Sequence, residues 1–512
     1  MRYGCQKIIG NLRSCCFDGE AVFVQADSNT APKSTEKKVS SEGAEQDFKP
    51  SYLSVKGHQK LTEKSWTDPE ICAQCHPRQY EGWKGSMHSN SFNDPVFQAE
   101  WALAEKATDG ALTNYCGACH TLIGVATQSI KFNPESVEGA LHGKFTAPPL
   151  ASKGVSCDVC HTISGSNISK TAVLEHGNAS FVMDPGPVKR ATLKDPDPVS
   201  PFHATEYSKH HTSSAFCGNC HNIFHPGNNF PIERTYDEWK YSSYAQKNVQ
   251  CMDCHMVPVA TAIRVADEMK PAHELDNAQI GGFAGVGGPL RKVVHDHGFV
   301  GGNAVITSVL NGGGKDSKHT KEAVRRLQSA ASINVSVIAQ NGPLHKLVVR
   351  VNNDRAGHNL PTSLTNVRQI WLEVVITDDQ GNELMRSGTL TKGNELPSGT
   401  VIFNANAVDK DGKYTQFPWE VAGFSDTNTI PPKGHRNSNY AFNLVDGSKE
   451  VKILAKLHYR SFSQYTADKL LGKGKVVVPS VEMVVHEVSF PVIDKQVLDN
   501  ISSAAPSNPS NH

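Results

Sequence analysis

Five pentapeptides repeat one pattern along the chain: CAQCH at 72–76, CGACH at 116–120, CDVCH at 157–161, CGNCH at 217–221 and CMDCH at 251–255. They take up ten of the 13 cysteines, and each closes on a histidine. Two thiols separated by two residues, with an imidazole directly after, suit few kinds of chemistry. A zinc ribbon takes two CxxC pairs per metal, and five pairs leave one without a partner. A redox dithiol wants a single CxxC in a βαβ setting. Adding both thiols across the vinyl groups of a haem uses every residue of the pattern, because the adjacent imidazole then binds the iron. The cofactors expected are therefore five covalently bound haem c groups (iron). Cys72, Cys75, Cys116, Cys119, Cys157, Cys160, Cys217, Cys220, Cys251 and Cys254 form the thioethers, and His76, His120, His161, His221 and His255 are proximal ligands.

The chain has 23 histidines, so supply exceeds what five second axial ligands would need. His88 stands out by context. Asp68 and Pro69 open a helix at the first motif, and the stretch after Pro77 is expected to continue as a second helix through Trp83 to His88. Twelve residues of helix span about 18 Å, too far for His76 and His88 to clamp one iron. His88 is expected to serve a neighbouring haem.

The segment 200–256 carries a histidine six residues before CxxCH, then PIERTYDEWK and a closing CMDCHM. With EGWKGSMH and GVSCDVCH, it resembles the multihaem c-type cytochromes related to the tetrahaem cytochromes of nitrifying bacteria and found widely in metal-reducing bacteria. The resemblance covers roughly residues 66–375. It implies His211 and His203 as distal ligands, and it favours His297 over His295 in VVHDHGFVGGNAVI, where a glycine-rich turn lets the chain approach a flat macrocycle. NNDRAGHNLPTSLTNVRQIWLEV is similar to the segment closing such cytochromes and supplies His358 as the fifth. Pentahaem nitrite reductases carry a lysine in place of the motif histidine at their active haem; all five motifs here end in histidine.

Between the motifs the pattern is one of short helices and coil, with NDPVFQAEWALAEKA and RTYDEWKYSSYAQK reading as helices. Motif spacings of 44, 41, 60 and 34 residues are too uneven for a solenoid. After Gly302 the character changes. KHTKEAVRRLQSAASI reads as a connecting helix, and from about 331 apolar and polar residues alternate in β-branched runs punctuated by Gly, Pro and Asn turns. The fold class expected is α + β in separate domains: a mostly short-helix and coil multihaem domain followed by an all-β sandwich-like domain. The boundaries are a leader and flexible segment at 1–50, the pentahaem domain at 51–302, the connecting helix at 303–330, the β-sandwich at 331–495 and a disordered tail at 496–512. In the leader, basic residues and a small-residue cleavage point after Ala26 read as a signal peptide degraded by Arg13, Asp18 and Glu20.

Lys+Arg and Asp+Glu both number 51, which offers nothing to nucleic acid, and no apolar run is long enough to be a transmembrane segment. The function expected is an exported pentahaem cytochrome, periplasmic or on the outer surface of a bacterium. It would carry electrons between redox proteins, namely donor and acceptor cytochromes or a membrane complex. The alternatives are an oxidoreductase acting on a small nitrogen or sulfur compound at one open haem, and a self-assembling subunit of an extracellular cytochrome filament. No catalytic residue is assigned.

Overall fold

The computed structural model describes residues 48–58, 60–135, 139–194, 200, 202–310, 314–338 and 344–492. The leader and tail expectations fall almost wholly outside them. Each motif rides on a short helical segment. Pro69–Ala73 leads into Cys75 and His76, and Thr113–His120, Cys157–His161, Ser214–Gly218 and Cys251–His255 carry or open the other four. Residues i, i+3 and i+4 share a helix face, so both cysteines and the histidine of a helical motif project the same way.

Local chemistry explains where these helices begin. The Asp68 carboxylate accepts the Glu70 N–H at 2.9 Å ahead of Pro69. Asp94 does the same for Val96 and Phe97, at 2.8 and 3.3 Å, ahead of Pro95–Ala107. The helix after the second half of the first motif spans only Pro77–Trp83. Gly85, at φ 83°, turns the chain away, so His88 is not on that helix. RTYDEWKYSSYAQK likewise splits into Thr235–Lys240 and Ser243–Gln246, because the Ser242 hydroxyl caps the second piece.

The connecting helix Lys318–Ala330, capped by Ser317, passes without a break into strand Ala331–Ile338. That strand pairs antiparallel with Leu344–Asn353, which pairs in turn with His435–Asn443. A second antiparallel sheet runs in the order Glu383–Ser387, Gln369–Asp378, Glu450–Arg460, Val481–Pro491, with Ile402–Phe403 also on Gln369–Asp378. Leu347, Val349 and Val351 of the first sheet and Leu372, Val374 and Ile453 of the second meet in one fully buried cluster. Each such side chain contributes about 1.5–3 kcal/mol by leaving water. The helical and β parts also share apolar packing: Val96 and Ala99 of Pro95–Ala107 lie in one cluster with Val367, Phe462 and Leu470. As a result the segments carrying His358 and Arg368, which belong to the β part, line the same cavity as the motifs.

Gly388 follows strand Glu383–Ser387 at φ 77°, and a Cβ there would sit 2.0 Å from the Leu372 carbonyl oxygen. Gly388→Ala is expected to cost about 1–3 kcal/mol, read as an earlier denaturant midpoint with the haem spectrum unchanged.

Candidate functional site

The five motifs open onto one continuous cavity of about 1670 Å³, well beyond the roughly 300–1,000 Å³ of a pocket for a single small ligand. Thiols of different motifs lie close enough inside it to shift one another's titration: Cys72 and Cys157, Cys119 and Cys220, and Cys217 and Cys251. Cys160 lies within electrostatic reach of both Cys217 and Cys220.

Four of the motif histidines are oriented by backbone. The Nδ1–H of His76 donates to Ala284 O at 2.6 Å, that of His120 to Ser91 O at 3.0 Å, that of His161 to Arg190 O at 2.7 Å and that of His255 to Val300 O at 2.8 Å. This fixes the tautomer that leaves Nε2 free to bind a metal. Burial, as the leading cause, lowers His255 to about 3 and His120 to about 4, and pulls His161 down as well. A neutral ring is the form that binds iron.

Two imidazoles bound on opposite sides of one metal at about 2 Å each have ring centres roughly 6 Å apart. Four motif histidines meet that condition with a histidine from a distant segment. His76 faces His203 at 6.3 Å, His88 faces His221 at 6.2 Å, His161 faces His297 at 6.2 Å and His255 faces His358 at 6.2 Å. Three of the non-motif partners are braced too, while the Nδ1 of His88 is buried without a partner. His203, His297 and His358 donate Nδ1–H to the carbonyls of Ala204, His295 and Asn359, at 3.2, 3.1 and 2.9 Å. The Arg78–Asp296 ion pair, at 2.6 Å, pins the His297 segment to helix Pro77–Trp83. Gly82 of that helix lies against the His297 backbone, where an added Cβ would fall at 3.1 Å.

His211 also stands 6.2 Å from His161, but its Nε2 is engaged with the Cys160 carbonyl at 3.0 Å and its Nδ1 is buried without a partner. Separation alone therefore does not make a ligand pair. His176 and His210 make the same point: their rings are 6.1 Å apart, and the Asn219 amide bridges them, accepting from His176 Nδ1 and donating to His210 Nε2. Neither follows a CxxC pair.

His120 differs from the other motif histidines. Phe97 lies flat on its ring at 3.5 Å, and no histidine ring faces it among the described residues. The same helix face carries Glu100, which the sequence reading passed over, and Arg368 lies within electrostatic reach of that carboxyl. The i, i+3 spacing of Phe97 and Glu100 was the only signal available in the sequence. The motif pattern, the neutral Nε2-free imidazoles and the 6 Å pairs fit covalent haem c.

Residues 71–162 match the family described as cytochrome c554 and c-prime. The chain is similar in fold to a penta-heme cytochrome c552 from Thermochromatium tepidum, with a TM-score of 0.57 and 18% identity over 84% of this chain and 99% of that one. Two further solved structures, the Northeast Structural Genomics Consortium target SoR45 and AvmM, which catalyses macrocyclization in alchivemycin A biosynthesis, align at a TM-score of 0.16. Their identities are 10% over 36% of this chain and 99% of SoR45, and 11% over 35% of this chain and 92% of AvmM, and neither carries an argument. No curated protein matches. The family match and the shared fold support a multihaem c-type cytochrome.

Proposed function

We propose that this multihaem c-type cytochrome is an exported electron carrier with one haem on each of its five motifs, four of them bis-histidine. The observation that carries the reading is the set of four cross-chain histidine pairs at 6.2–6.3 Å. Haem iron bound on both sides by imidazole has no position left for substrate, so it passes electrons without exchanging ligands. The ligand pairs are His76/His203, His221/His88, His161/His297 and His255/His358; His211 takes a structural part beside His161. The thiols that lie near one another favour a path from the 72–76 motif to 157–161, 217–221 and 251–255, with 116–120 branching at 217–221. Covalent haem attachment implies assembly on the exported side of a membrane. Among the described residues no helix is long and apolar enough to cross a membrane. The partners are a donor and an acceptor redox protein.

A second reading attaches to His120. Lacking a facing histidine, its haem is five-coordinate and open to a small ligand, so the carrier also ends in a reactive iron. Electron paramagnetic resonance and optical spectra of the purified holoprotein test both readings. We expect low-spin signals from the bis-histidine haems and one high-spin iron. All haems low-spin would remove the second reading, and several high-spin irons would remove the first.

A further inference from the structure

We propose that Glu233 holds a proton that enters and leaves the protein together with an electron at the His255/His358 haem. This rests on the reading that His255 and His358 bind one iron. Strand Pro231–Glu233 sets Glu233 in the wall of the cavity, and helix Thr235–Lys240 follows with Thr235 and Glu238. Thr362, from the turn after His358, closes the gap between them. Four oxygens form a row: Glu233 Oε1 is 2.5 Å from Thr235 Oγ1, Thr235 Oγ1 is 2.8 Å from Thr362 Oγ1, and Thr362 Oγ1 is 2.6 Å from Glu238 Oε2.

The row has three links, and each of its two hydroxyls brings a single proton. Thr362 donates to Glu238, so Thr235 must donate to Thr362. The link between Thr235 and Glu233 then needs a third proton, which only a carboxyl can supply. With both carboxyls ionised, each threonine would turn to its own carboxylate, and the two threonine oxygens would face each other at 2.8 Å with no hydrogen between them. The row is therefore built for one proton between two carboxyls, and that proton sits on Glu233. Glu238 Oε2 accepts a second donor, the Asn359 N–H at 3.1 Å, as suits a carboxylate, whereas Glu233 is only 2% exposed. The Ser363 N–H, at 3.2 Å, fills the remaining acceptor position of Thr235.

The far end of the row reaches the segment of an iron ligand. His358 donates its Nδ1–H to the Asn359 carbonyl at 2.9 Å, and the N–H of the same Asn359 is the one held by Glu238. The charged and titratable groups facing Glu233 are Glu238 from Thr235–Lys240, Arg368 from the segment preceding Gln369–Asp378 and the Tyr115 phenol from Thr113–His120. Burial is the largest influence on Glu233 and Glu238 adds to it, while the Thr235 hydroxyl and Arg368 oppose them; the carboxyl is held up to about 7. Its proton therefore exchanges near neutrality. An electron taken from the donor protein lowers the positive charge at the iron by one, and Glu233 takes one proton from solvent. On reoxidation the electron goes to the acceptor and the proton returns to solvent. By linkage, the proton favours the reduced haem as much as the electron favours the protonated carboxyl.

Potentiometric titration of the holoprotein at a series of pH values tests the coupling. In the parent, the midpoint of the His255/His358 haem, identified as the one that His358→Ala displaces, should fall as pH rises through about 7. Each tenfold loss of protons should weaken electron binding by at most tenfold, or about 59 mV. Glu233→Gln keeps a donor for Thr235 but has no proton to exchange, so its midpoint should stay at the parent's low-pH value throughout. Redox-difference infrared spectra near pH 7 should show a protonated carboxyl gained on reduction in the parent and absent from Glu233→Gln. Thr362→Ser should match the parent, and Thr362→Val, which cuts the row without removing a carboxyl, should shift the pH at which the midpoint falls. A Glu233→Gln protein with the parent's profile overturns the role of Glu233, as does a parent midpoint that ignores pH; a Thr362→Val protein with the parent's profile overturns the row. His358→Ala keeps the two readings apart. If it yields no new high-spin iron, the His255/His358 pairing falls; if it yields one while the pH-dependent midpoint stays in place, the proton belongs to another haem and the coupling proposed here is wrong.

Discussion

A His297→Ala protein is expected to contain one more high-spin iron than the parent, whereas His211→Ala should leave the spin states unchanged. Both rings lie 6.2 Å from His161, so distance does not separate them. The nitrogens do. His297 commits Nδ1 to the His295 carbonyl and keeps Nε2 for the metal. His211 has spent Nε2 on the Cys160 carbonyl, and its Nδ1 is sealed from the cavity. The change should be confined to one haem, because Asp296 and Gly82 anchor the segment independently of the imidazole. Low-temperature electron paramagnetic resonance would show one low-spin signal replaced by a high-spin one. If His211→Ala gives that result and His297→Ala does not, the assignment is reversed.

The two histidines also show how far the sequence could be read. The thioether cysteines and their motif histidines are legible because covalent haem attachment needs them contiguous, and contiguity survives in a one-dimensional string. Second ligands come from anywhere in the chain: His203 faces a motif 127 residues before it, to judge by its pairing with His76. Local context could nominate His211 and His297 alike, since the carbonyl that occupies His211 belongs to a residue 51 positions away. For His88 the helical argument used a helix that ends at Trp83, yet the ring does lie across from a different motif's histidine, His221. That no histidine ring faces His120 among the described residues was hidden by plenty, because surplus histidines made every iron seem satisfiable.

Much the same holds in the β part. Gln369–Asp378 and Glu450–Arg460 announce themselves through apolar alternation, and TDDQGNE marks the turn after the first of them. His435–Asn443 does not, because it reads HRNSNYAFN and turns only Ser438 and Phe442 fully inward. It is a strand because Leu344–Asn353 offers it a ladder of backbone partners, which is a tertiary cause with no local signature.

Deleting the haem of the fourth motif with Cys217→Ala and Cys220→Ala should do more damage to transport than deleting any other. The Cys217 thiol lies near Cys251, the Cys220 thiol near Cys119, and Cys160 within electrostatic reach of both. In the proposed order, every path from the 72–76 motif to either the 251–255 or the 116–120 motif passes this point. Mass spectrometry and the haem absorbance of the purified variant should show four haems instead of five. Stopped-flow reduction by an external donor should then become biphasic: the haems on the donor side fill at the parent's rate, and those beyond the gap fill slower by orders of magnitude. The matching variant at the 116–120 motif, Cys116→Ala with Cys119→Ala, removes a branch and should leave the remaining four on a single fast phase while removing the high-spin signal. Stability separates the effects further, since losing the central cofactor leaves an unfilled void lined by the Cys160, Cys217 and Cys251 segments, and voids of that kind cost more the less their walls can collapse. If both double variants fill their four haems on one fast phase, the branched order is wrong and electrons cross between haems that the thiol contacts do not connect.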